Sequence, residues 1–191
     1  KNKNLLTSLH DMRHPVVAGS FYESDKERLI RQIEGCFSSE FGPGTMQDDG
    51  KNPAKGVIVP HAGYFFSGAC AAHAYKIIST SKARRFIILG VNHHGYETSI
   101  SGQDWLTPLG TAACDKDIVK IFSDAGIKVS ETPHLREHSI EVQIPFLQHV
   151  KKDFTFAAIG IGHDADIEKI SRTISLVDDA AIIASSDFTH Y

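Results

Sequence analysis

Gly56-Val57-Ile58-Val59-Pro60-His61-Ala62-Gly63-Tyr64 is the stretch that decides the fold. Four residues of buried-strand character run into a proline that fixes chain direction. A histidine follows, then a glycine that permits a tight turn. The alanine-rich segment Ser67 to Ile78 reads as a helix, so the whole is a strand–turn–helix unit with a histidine at the strand's carboxyl end.

The same design recurs downstream. Arg85 to Leu89 is a continuous apolar strand closed by Gly90, with His93-His94-Gly95-Tyr96 in the loop beyond it. Phe154 to Ile161 is a strand ending at Gly162-His163, and Ala180 to Ala184 is a last strand delivering the chain to Ser185-Ser186-Asp187. Between the strands, helices are expected at Ser24 to Phe37, with Ser24 and Glu27 in capping-box form, and at Asp115 to Ala125, stopped by Gly126. Others are expected from Ser139 to Val150 and along the face Ile167, Ile170, Ile174 and Val177. Phe41 to Lys55 is a Gly/Pro-containing loop. Ser99 to Thr111 has room for one or two short edge strands around Asp104-Trp105, before Pro108. Alternating strands and helices predict an α/β fold: a mostly parallel or mixed central sheet with helices on both faces.

Composition narrows the class. The 191 residues are 41% hydrophobic, enough for one core and short for two. The organisation expected is a leader over residues 1–11 and a single α/β domain over 12–191 that reads as truncated at its C-terminus. A net charge of −3 with interspersed signs offers no basic stripe, so nucleic acid is not an expected partner. The apolar runs are too short for a membrane span and no signal segment opens the chain, so neither a membrane partner nor a secreted location is expected, and a cytoplasmic one is. Three scattered cysteines argue against a disulfide scaffold or a CxxC zinc site.

Histidine is the anomaly: there are eleven, several directly after strands. In open α/β sheets ligands bind beyond the carboxyl ends of the strands, which is where Pro60-His61, Gly90 to His93 and Ser186 to His190 fall. Neutral imidazole is a common ligand for iron, copper and zinc, so His61 and His93 are the candidate metal ligands. Asp187 and His190, three apart, are the candidate catalytic pair, the carboxylate orienting the imidazole or joining the metal shell; helix capping by Asp187 is the plainer alternative. His138 and Glu141, at i, i+3, are candidates for the surrounding shell, together with His94 and Tyr64; Ser139 as a cap with Glu141 in a capping network is the alternative. His73 and His149 read as structural, and His10, His14, His134 and His163 belong to no constellation.

Taken together, Arg13-His14-Pro15-Val16-Val17-Ala18-Gly19-Ser20-Phe21-Tyr22, Pro60 to Tyr64 with Ser67-Gly68, Leu89-Gly90 through His93-His94, Glu137 to Glu141 with Pro145, and Ser185-Ser186-Asp187 to His190-Tyr191 carry a resemblance. The chain resembles the Memo-like family, also called AmmeMemoRadiSam system protein B, across nearly its whole length from Met12. That family is similar in fold to class III extradiol ring-cleaving dioxygenases. The resemblance implies His61 and His93 as ligands of iron or copper, His190 as the acid/base histidine and Asp187 as its support. It also implies a third ligand, typically a cysteine, in a C-terminal third that this chain does not reach. By association it implies a radical-SAM partner.

Three functions remain open at this point: a metal-dependent, dioxygenase-like oxidoreductase of unknown substrate; a non-enzymatic adaptor whose pocket captures a peptide or small ligand; and a zinc hydrolase with His61, His93 and Asp187 as ligands and His190 or Glu141 as base.

Overall fold

The structure, a computed structural model, describes residues 12–44 and 54–189. The expected leader over 1–11, the middle of the 41–55 loop, and His190 lie outside the described residues.

The strands are β1 (Met12–Arg13), β2 (Gly56–Val59), β3 (Arg85–Val91), β4 (Ser99–Ile100), β5 (Asp104–Thr107), β6 (Gly110–Cys114), β7 (Lys128–Val129), β8 (Thr155–Ile161) and β9 (Ala180–Ser185). The helices are α1 (Lys26–Ser38), α2 (Tyr64–Thr80), α3 (Lys116–Asp124), α4 (Gln143–Val150) and α5 (Ile167–Ile174). The sheet order is β1-β5-β6-β8-β3-β9-β2, with β4 pairing both β7 and β8. The four strands β8-β3-β9-β2 are mutually parallel, β6 joins β8 in parallel, and β5–β6 and β4–β8 are antiparallel. This is the mostly parallel α/β sheet that the alternation of strands and helices predicts.

Strand periodicity divides the core in two. Along β3, Phe86 and Ile88 face one side, where they meet Leu29 and Ile33 of α1, Ala72 and Tyr75 of α2, and Ile144 and Phe146 of α4. Ile87 faces the other side with Ala157 and Ile159 of β8, against Ile118 and Phe122 of α3 and Ile170 of α5. Both faces of the central strands are therefore apolar, which is why those strands read as unbroken hydrophobic runs.

Several boundaries differ from the expectation for local reasons. Asp25, not Ser24, caps α1 by accepting from the backbone N–H of Arg28. Helix α2 begins at Tyr64, three residues earlier than the alanine pattern implied, directly after Gly63. Helix α4 begins at Gln143 and not at Ser139, so Ser139 does not cap it. Residues 139–142 instead form turns closed by i to i+3 bonds (Gln143 N–H to Ile140, Ile144 N–H to Glu141). Side chains in this turn are committed elsewhere: the Ser139 hydroxyl donates to the Val91 carbonyl, and the Glu141 carboxylate receives the N–H groups of Val16 and Val17. The region expected to hold one or two edge strands holds β4 and the β5–β6 hairpin, and β6 is an interior strand between β5 and β8. No helix among the described residues is long and apolar enough to cross a membrane.

Candidate metal centre

Parallel register places three strand ends at one edge. Val59 pairs with Ser185 and Leu89 with Ala184, so β2 and β3 finish on either side of β9. The chain leaving β2 presents His61, that leaving β3 presents His93, and Asp187 follows β9 between them. Above this edge passes the segment from the 3₁₀ turn Thr132–His134 to α4, which carries Glu137 and His138. Gly90 lets it come close: a Cβ there would lie 2.5 Å from both Ile140 Cγ1 and Ser139 Oγ.

His61, His93 and His138 each offer one ring nitrogen, and these atoms lie within 4.8 Å of one another. The rings pack accordingly. His93 stacks on His138 with centroids 4.8 Å apart and planes at 15°, and His61 meets both edge-on at 5.3 and 5.6 Å. His61 is almost wholly buried, while the side chains of His93 and His138 are 30% and 20% exposed, so the cluster is open on one side.

The outer side of the cluster is built from fixed acceptors. The buried Glu137 carboxylate accepts from the backbone N–H of His93 (2.7 Å), His138 (2.8 Å) and Ser139 (2.8 Å), and it lies 2.9 Å from His93 Nδ1. Burial alone would raise its pKa, but these donors outweigh burial and hold it down to about 2. An ionised carboxylate only accepts, so His93 donates through Nδ1–H and keeps Nε2 for a ligand. His61 Nδ1 is likewise engaged, 3.0 Å from Ser185 Oγ. Asp187 Oδ1 accepts the backbone N–H of His61 at 2.5 Å, while its Oδ2 lies 3.6 Å from His61 Nε2. Burial lowers the pKa of His61, opposed by Asp187, and lowers that of His138, opposed by Glu137. Both rings thus favour the neutral form that coordinates metal. Three convergent imidazoles, two with the remote nitrogen anchored, fit a borderline first-row cation.

The structure treats the sequence candidates unequally. It brings His61 and His93 together, sets Asp187 beside His61, and adds His138 to the cluster itself as a third nitrogen donor. His94 is exposed and bonds through its N–H to Asn92 Oδ1. The Tyr64 hydroxyl is buried and donates to the Val142 carbonyl at 2.6 Å. Glu141 is buried on the Arg13 side, where it takes the Arg13 guanidinium, the Tyr22 hydroxyl at 2.7 Å and the N–H groups of Val16 and Val17.

Sequence reasoning passed over Glu137, Arg13 and His134. Arg13, 3% exposed, stacks on Trp105 at 4.2 Å and donates to the carbonyls of Glu137 and His134, so the N-terminal strand braces the Glu137–His138 loop from behind. Glu137 could have been suspected only from its place next to a histidine, since i, i+1 neighbours share no helical face. Nothing local distinguishes Arg13.

A family model described as Memo-like protein matches residues 13–191. Among curated relatives, a MEMO1 family protein of Methanothermobacter thermautotrophicus is 41% identical over 194 residues, covering 94% of this chain and 70% of that protein. One from Metallosphaera sedula is 40% identical, with 94% and 70% covered, and one from Methanopyrus kandleri is 39% identical, with 94% and 69% covered.

Proposed function

The chain belongs to the Memo-like protein family, and from that premise we propose that His61, His93 and His138 hold an iron or copper ion in a redox-type site. The observation that carries this reading is the convergence of three imidazole nitrogens within 4.8 Å, with the far nitrogens of His61 and His93 bonded away from the centre. When bound, such a metal would supply Lewis acidity and one-electron chemistry.

The protein's own residues supply the rest. Glu137 fixes the His93 ring and adds negative charge behind it, raising its basicity as a ligand. Asp187 holds the backbone of His61 and keeps a carboxylate at the mouth of the cluster, where it can steady a proton. His190, three residues on, is the proposed proton-transfer group. Phe21 packs on His138 at 4.8 Å, and with the exposed Phe65 and Phe66 it lines a recess of about 130 Å³. That recess, lined also by Ser20, Glu23 and Gln32, lies beside the histidine cluster and mixes polar with aromatic groups, and in a second reading it captures a small-molecule or peptide ligand without turnover.

Metal analysis after dialysis against iron, copper and zinc separates these readings. Stoichiometric iron or copper at neutral pH that is lost in His61→Ala supports the redox site. Ligand binding that survives chelation supports the binding module, and zinc-restored ester or amide hydrolysis would replace both. No stoichiometric metal in the wild type would refute the proposal.

A further inference from the structure

Ser185 closes β9 and is 5% exposed. Among the described residues, three groups surround its hydroxyl: the Ser139 carbonyl at 2.7 Å, Gln143 Nε2 at 2.8 Å and His61 Nδ1 at 3.0 Å. A serine hydroxyl has one proton to give and two positions at which to accept. A carbonyl cannot donate, so Ser139 takes the proton. The orientation of the Gln143 amide is equally determined. Its Nε2 faces the Pro60 carbonyl at 3.0 Å, another group that only accepts, while its Oε1 receives the Tyr75 hydroxyl at 2.9 Å. The NH₂ end therefore points at Ser185 and fills one acceptor position. The bond that remains to Ser185 is one in which His61 donates through Nδ1–H.

Among the described residues, the opposite tautomer finds no acceptor for an Nε2–H within hydrogen-bonding distance. Asp187 Oδ2, at 3.6 Å from His61 Nε2, is beyond hydrogen-bonding distance. We infer that Ser185, oriented by Gln143, is a positioning residue that keeps the His61 proton on Nδ1 and turns the Nε2 lone pair toward His93 and His138. The two rings are thus held by different means. His93 is backed by an anionic carboxylate and His61 by a neutral hydroxyl, so His61 is oriented without extra charge being placed behind it. The functional meaning of this device rests on the metal-site reading, but the tautomer is a property of the metal-free protein.

Long-range ¹H–¹⁵N correlation spectra of the metal-free protein at about pH 8, where imidazole is neutral, report the tautomer of each histidine, and His61→Ala identifies the His61 signals. The expected result is the Nδ1–H pattern for His61 in the wild type, a mixed or Nε2–H pattern in Ser185→Ala, and its reversal in Ser185→Thr, which keeps the hydroxyl. Metal affinity, read by competition with a chromophoric chelator, is expected to fall about 10–100-fold in Ser185→Ala. An Nε2–H pattern in the wild type would overturn the inference whether or not any variant folds, and so would an unchanged Nδ1–H pattern in folded Ser185→Ala. If the tautomers behave as expected and no metal binds, the positioning role stands and the metal-site reading fails.

Discussion

Glu137 holds His93 at two points, accepting its backbone N–H at 2.7 Å and lying 2.9 Å from its ring Nδ1. One carboxylate thereby fixes both where the chain leaves β3 and which way the imidazole faces, while two further bonds tie it to the loop carrying His138. Replacing it by glutamine keeps the size but removes the charge and two of the acceptor positions. Metal affinity in Glu137→Gln is expected to drop about 10–100-fold, measured by chelator competition. An unchanged affinity would show that Glu137 serves the loop alone.

Arg13 and Glu141 form a buried ion pair, each also bonded to backbone, at the junction of β1 and the histidine loop. Removing one partner strands the other's charge away from water. Arg13→Ala and Glu141→Ala are each expected to cost about 3–5 kcal/mol, measured by denaturant unfolding, and the double variant less than the sum of the two. Additive losses would show that the pair does not act as a unit.

Gly90 is the gap through which the loop reaches the strand edge. Gly90→Ala places a methyl against Ile140 and Ser139 and is expected to cost about 1–3 kcal/mol in overpacking. Because the displaced residues adjoin His138, it is also expected to weaken metal binding more than an equally destabilising change in the α3–α5 core, such as Ile118→Val. Equal metal affinities in the two variants would contradict this.

His134 is fully buried against Trp105, with Ser99 Oγ 3.2 Å from its Nε2. Burial and the nearby Arg13 charge push its pKa down to about 4. The folded protein therefore binds the proton more weakly than the unfolded chain. This contribution is fully present above about pH 6.5 and is lost as the pH falls toward 4, amounting to about 3 kcal/mol. His61 and His138 shift in the same direction, so His134→Gln should flatten the stability profile over this window without abolishing its slope. Urea midpoints from pH 7 to 4 check this, and a profile unchanged from wild type would refute the assignment.

Periodicity and strand-end chemistry made the parallel strands, the two-faced sheet and the placement of His61 and His93 legible in advance, because all of these follow from local pattern and one topological rule. The position of Asp187 at the same strand edge was legible for the same reason. The assignment of Glu141 in place of Glu137 to the histidine shell came from reading residues 139–150 as a helix, on which His138 and Glu141 would share a face. Tertiary bonds from Arg13, Val16 and Val17 hold that segment as turns and draw Glu141 away. His134 and Ser185 owe their roles to partners 35 and more residues distant, Ser99 for one and His61 and Ser139 for the other. No single-sequence spacing encodes these contacts.

X-ray absorption at the edge of the bound metal reads directly whether His61, His93 and His138 share one ion. The expected spectrum of the iron- or copper-loaded protein shows imidazole scattering from three nitrogens, reduced by one in His138→Ala. A metal environment without imidazole scattering, or one that His138→Ala leaves unchanged, would show that the three histidines do not share a metal.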